Sequence, residues 1–241
     1  MDATPIRAVL AGRFTPSALR RYLLTMFSAT AALVLVAGGF YSSRSTFSLL
    51  RTQISPLGSP ADNPLGWPFF SFGVWLLSIA SIPLWRFYRR ALPVLQARVS
   101  GVFLVLYLVA IPAVFTIGLV PPELDITAHR VLAATALGGF GLAFFFSGIG
   151  FIISKYARNN TRIPAALIAP FIAYFPLIAI GITSQVYAAS LGTFPAEDTW
   201  YAWALWEWLL FSGIIAMCVF TSLPLAGIVQ KRTTEGKSSN I

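Results

Sequence analysis

The chain has 241 residues, 57% of them hydrophobic and 10% charged, with a mean hydropathy of +0.76. That much apolar surface is more than a soluble domain of this size can cover. The net charge of +9 comes without a basic stripe on a polar module, which excludes a nucleic-acid interface.

Six apolar runs of membrane length are read at about 22–42, 69–85, 101–120, 131–153, 164–186 and 206–229. Each is expected to be helical, because lipid offers no partner for backbone N–H and C=O groups. A membrane β-barrel would show short alternating segments instead. The expected fold is all-α, a polytopic integral membrane bundle of six transmembrane helices. Residues 1–21 form a basic N-terminal segment, 22–230 the six-helix domain, and 231–241 a polar tail expected to be disordered.

Ahead of the first run, residues 5–14 mix Ile6, Val9, Leu10 and Phe14 with Arg7 and Arg13, which reads either as a short interfacial helix or as a frayed basic tail. Thr15-Pro16 supplies an N-cap and a first-turn proline for the next helix. Arg20-Arg21 before an apolar run imitates a signal peptide, but the run to Tyr41 is long and no small-x-small site follows, so a retained anchor is expected. A loop at about 43–68, rich in Ser, Pro, Gly and Asn, is long enough to be a functional suspect. The second run is short, and Trp67-Pro68 would extend it into the interface. The fourth carries Ala134, Gly138, Gly139, Gly141, Gly148 and Gly150, small residues that let helices approach and place this span inside the bundle. Prolines inside four of the runs allow kinks. SPADNP at 59–64, PPELD at 121–125 and FPAED at 194–198 recur between the paired runs, as a repeat remnant or simply as turn chemistry.

Fourteen of the seventeen Lys and Arg residues fall before run 1, between runs 2 and 3, between runs 4 and 5, and after run 6. Only Arg44, Arg51 and Arg130 fall on the opposite side, together with six of the eight acids. The positive-inside bias therefore places both termini in the cytoplasm of a multi-pass protein of the cell membrane.

The residue inventory removes several activities. His129 is the only histidine and Cys218 the only cysteine, so bis-histidine haem ligation, a multi-histidine zinc site and an internal disulfide are unavailable within one chain. No Lys lies within a run for a retinal Schiff base. Neither a Gly-x-x-x-x-Gly-Lys-Ser/Thr loop nor a Gly-x-Ser-x-Gly elbow is present. No cofactor is expected.

The remaining candidates face the non-cytoplasmic side. Glu207 stands among Trp200, Trp203, Trp206 and Trp208. It reads either as an interfacial carboxylate favoured by the helix dipole or as an inward partner for a cation or lipid headgroup. His129 and Arg130 open run 4 after Glu123 and Asp125, and the imidazole can exchange a proton near neutral pH or simply pair with an acid. Arg51 sits against the orientation bias, where pairing with Asp62 or binding a phosphate would explain it. Gln185 is a further polar candidate.

Ile54-Ser55-Pro56-Leu57-Gly58-Ser59, then Asn63-Pro64-Leu65-Gly66-Trp67, then the Phe-rich start of run 2, and later Gly118-Leu119-Val120-Pro121-Pro122-Glu123 with His129, form an ordered set of short motifs. The set resembles a prokaryotic six-span membrane domain of unknown function related to the FRAG/DRAM/SFK-like family, matching over spans 1–4, with spans 5 and 6 similar by topology alone. The resemblance implies a six-helix bundle with its marked loops on the non-cytoplasmic side. It implies a connection to lipids, since eukaryotic relatives are linked to lipid remodelling, lipid asymmetry and lysosomal autophagy. It also directs suspicion to Ser55, Gly58, Asn63, Glu123 and His129. Glu207 lies outside it.

The leading expectation is a protein that binds a lipid headgroup at Arg51, Ser55, Asn63, Glu123, Asp125, His129, Arg130 and Glu207, with membrane lipids as partners. Arg51 or Arg130 would meet phosphate. An accessory subunit packed among other membrane proteins is the alternative. A lipid-modifying enzyme using His129 with Glu123 or Asp125 ranks third, since no nucleophile–base–orienter set is evident in the sequence.

Overall fold

The computed structural model describes residues 6–49, 51–95, 97–157, 163–190 and 203–238, and all regular structure among them is helical. A short helix α1 (Ile6–Leu10) precedes six long ones: α2 (Pro16–Ser42), α3 (Trp67–Ala91), α4 (Ala97–Ile117), α5 (Ile126–Ile152), α6 (Ala165–Ser190) and α7 (Trp203–Ser238). Five stretches are long and apolar enough to cross a membrane: Pro16–Ser42, Trp67–Ala91, Ser100–Ile117, Ile126–Tyr156 and Ala204–Arg232.

Local chemistry explains most helix ends. Thr15 caps α2, its hydroxyl accepting the Ala18 N–H at 3.2 Å, with Pro16 in the first turn. Before it, α1 stops at a turn where Gly12 takes φ +68°, and a Cβ there would meet the Phe87 backbone N at 2.5 Å. Arg86 Nη1 donates to the Leu10 carbonyl at 2.6 Å, so α1 is tied under the end of α3. Helix α3 begins at Trp67 with Pro68 in its first turn, which lengthens the short second run as expected. The last turn of α5 widens into a π-helical stretch over Ile153–Ala157.

The first long helix starts at Pro16, as Thr15-Pro16 predicts, ahead of the apolar run, so Arg20 and Arg21 belong to it and Leu19 is fully buried. Helix α7 runs to Ser238, through residues expected to form a disordered tail. Propagating a helix already formed costs less than nucleating one, so α7 continues through Lys231, Arg232 and Glu235 despite Thr233, Thr234 and Gly236. The turn at 194–198, Trp200, Arg158 and Arg162 lie outside the described residues, as does the side chain of Gln185.

Helices adjacent in sequence pack on one another, and α7 returns against α2, α3 and α5 to close the bundle. Tyr88, Phe103, Tyr107 and Phe144 form its aromatic centre, with ring centroids 4.8–6.3 Å apart. Tyr88 Oη lies 2.6 Å from Ser222 Oγ, which gives this buried phenol a partner beside Cys218. The glycines of α5 divide by packing. A Cβ on Gly139 would meet Ala110 Cβ at 2.9 Å and the Leu106 carbonyl at 3.1 Å, whereas one on Gly138 or Gly141 would meet nothing within 4 Å. Close approach of α4 and α5 therefore depends on Gly139. Gly139→Ala is expected to lower stability by about 1–3 kcal/mol through overpacking, while Gly138→Ala leaves it unchanged; thermal melts of both in one detergent check this.

Candidate functional site

Residues 43–66, loop 1, fold back over one end of the bundle. Leu57, in a 3-10 turn over Ser55–Gly58, is fully buried. Asn63 is 1% exposed, and its Nδ2 donates to the carbonyls of Ala37 and Leu57, each at 3.0 Å. Gly66 is required beside it, since any Cβ there would overlap the Asn63 amide. Asn63 thus holds the loop in shape.

Two helix starts meet this loop. Asp125 caps α5, Oδ1 accepting the N–H groups of Thr127 and Ala128 at 2.9 Å each. That start places His129 one turn in, where it is buried. Its Nδ1 donates to the Val120 carbonyl at 2.7 Å, and Nε2 lies 3.2 Å from Ser55 Oγ. From α7, Glu207, 7% exposed, accepts the Ile54 N–H on Oε2 at 2.9 Å, with the Ser55 side chain beside it. Its neighbour Trp208 donates from Nε1 to the Thr52 carbonyl at 2.9 Å and sets its ring edge-on to Phe47. Ser55 therefore sits between an imidazole and a carboxylate, and its single hydroxyl hydrogen can serve only one of them at a time.

Ser55, His129 and Glu207 line a cavity of about 100 Å³. The rest of the lining is almost wholly apolar and comes from α2, α3, α4, α5 and α7, with Ser81, Tyr107 and Cys218 as the deep exceptions. On α7 the lining runs from Glu207 to Cys218, which at 1.5 Å per residue is roughly 16 Å. That is about half of a 30 Å hydrocarbon core, the depth of one leaflet. Among the described residues lining it there is neither Lys nor Arg.

The eight expected site residues thus separate into groups. Ser55, His129 and Glu207 converge on the cavity. Asn63 shapes the loop, and Asp125 caps α5. Glu123 is exposed and bonds the Ser59 hydroxyl and, at 3.0 Å, the Ala61 N–H, pinning the 121–125 turn to loop 1. Arg51 and Arg130 are exposed, and neither lines the cavity. Sequence reasoning missed the Ile54 N–H, Thr52 and the apolar well below them, and it read Trp208 only as part of an interfacial belt. The alternation of Glu207 with tryptophans was the one available signal. Among the described residues no cluster of His, Cys, Asp and Glu suits a metal ion. No family model, curated protein or solved structure matches the chain.

Desolvation of Glu123 is outweighed by bonds from the Ser59 hydroxyl, its own N–H and that of Ala61, which hold its carboxyl below the usual value. A depressed folded-state value means stability that is present above the ordinary carboxylate range and is lost as pH falls through the depressed value. Glu123→Gln is therefore expected to lower the thermal midpoint modestly at neutral pH, with the gap to the parent closing on acidification; melts across an acid pH series check this.

Proposed function

We propose that this is a six-span protein of the cell membrane, with both termini cytoplasmic, which binds a membrane lipid by drawing one acyl chain into the cavity and holding the head at Ser55, His129 and Glu207. The observation that carries this reading is the shape of the cavity's chemistry, largely apolar over the depth of one leaflet, with Ser81, Tyr107 and Cys218 the deep exceptions, and with its ionisable carboxylate and imidazole at the loop 1 end. A chain inside it exchanges lipid contacts for protein contacts, so specificity falls to the few polar groups at its end. Helix α6, 26 residues long and apolar over Ala165–Pro176, supports the sixth crossing. The lipid reading draws on where the loop 1 and 118–129 motif residues fall. Ser55 and His129 meet at 3.2 Å, Asn63 shapes the loop between the motifs, and Glu123 joins them from outside.

Native mass spectra in mild detergent are expected to show a lipid retained by the parent and lost from Ala136→Phe, which fills the cavity with a ring at a buried lining position. Absence of lipid from the parent, or retention unchanged in the variant, would overturn the reading. For topology, in a Cys218→Ser background, Asp62→Cys is expected to react with a membrane-impermeant maleimide in intact cells. Arg90→Cys is expected to react only after permeabilisation, and the reverse pattern would invert the orientation.

A further inference from the structure

Resting on that reading, we infer that the ligand's head is positively charged: the cavity takes a single-chain amphiphile ending in an amine with no phosphate beside it. Glu207 is the only carboxylate among the described lining residues, and no Lys or Arg there offsets it. A carboxylate offers about four acceptor sites. The Ile54 N–H occupies one of them, and the group still borders the cavity. Both nitrogens of His129 are already engaged, Nδ1 by Val120 and Nε2 by Ser55.

An ammonium group supplies what is missing, since it donates only and carries the opposite charge. The aromatic side chains of Trp208 and Phe211 line the same cavity and suit a cation by their ring quadrupoles. A phosphate would instead meet a buried carboxylate with no cationic side chain in the lining to hold it, because Arg51 and Arg130 lie elsewhere. The recognition element is thus the carboxylate rather than the arginines to which the sequence pointed.

The test uses four probes of defined chemistry, titrated against the full chain in mild detergent with native mass spectrometry as the readout: dodecylamine, dodecanol, dodecanoate and lysophosphatidylethanolamine. The parent is expected to bind dodecylamine at least about tenfold more tightly than dodecanol, as loss of one charge-assisted bond in a buried site would require, and dodecanoate most weakly. Glu207→Gln keeps an acceptor for the Ile54 N–H but removes the charge. It is expected to lose the amine preference while dodecanol binding changes less than about twofold. Equal weakening of both probes in the variant would make Glu207 a loop anchor only and overturn the inference. So would an amine preference that survives the substitution, or dodecanoate binding as tightly as the amine. Lysophosphatidylethanolamine binding more tightly than dodecylamine would overturn the phosphate-free head. Failure of the parent to bind any probe, dodecanol included, would instead overturn the cavity reading on which the inference rests.

Discussion

The Asn63 amide is the contact on which the covered end of the bundle depends. A loop laid across apolar helix ends brings peptide groups away from water, and each needs a partner. One Asn63 side chain answers two of them, the Ala37 carbonyl in α2 and the Leu57 carbonyl in the 3-10 turn. Left unsatisfied, the Leu57 carbonyl would cost roughly 1–3 kcal/mol, while the Ala37 carbonyl, inside α2, takes the amide as a second partner. With the turn held, Leu57 packs inward, and its burial contributes about 2 kcal/mol more. Only then do the next residues, Ile54 and Ser55, stand where α5 and α7 can meet them.

The polar trio follows from that placement. Ser55 comes from loop 1, His129 from the first turn of α5 and Glu207 from the first turns of α7, and no two share an element. Each is fixed by a backbone group as well as by its neighbour: Val120 orients the imidazole and Ile54 the carboxylate. Groups held this way lose little freedom when a ligand arrives, which favours binding by pre-organisation. Beneath them the lining is largely apolar, which on the proposed reading suits an alkyl chain and leaves recognition of the head to the one carboxylate.

Much of the secondary structure was legible because its causes are local. Thr15-Pro16 and Trp67-Pro68 mark helix starts within a turn or two of themselves, and hydropathy alone marked the long helices, whereas the cap at Asp125 emerged only in the structure. The glycines of α5 were legible only in part. Their number pointed to close packing, but Gly139 serves the α4 contact while Gly138 and Gly141 face open space, a difference set by helix rotation rather than composition. For residues 231–238 polarity alone suggests disorder, whereas a helix already formed propagates through them at less cost than starting anew, Thr233, Thr234 and Gly236 included.

At the site the division is sharper. The sequence by itself determined the membrane-length helices, the charge asymmetry between loops and the short inventory of reactive side chains, because these depend on composition and near neighbours. Ser55, His129 and Glu207 were each suspected separately. Their meeting, the apolar well below them and the exclusion of Arg51 and Arg130 from its lining were decided by the tertiary structure alone. Residues 74 to 152 positions apart come together only through the rotation and packing of whole helices, and no local preference encodes that.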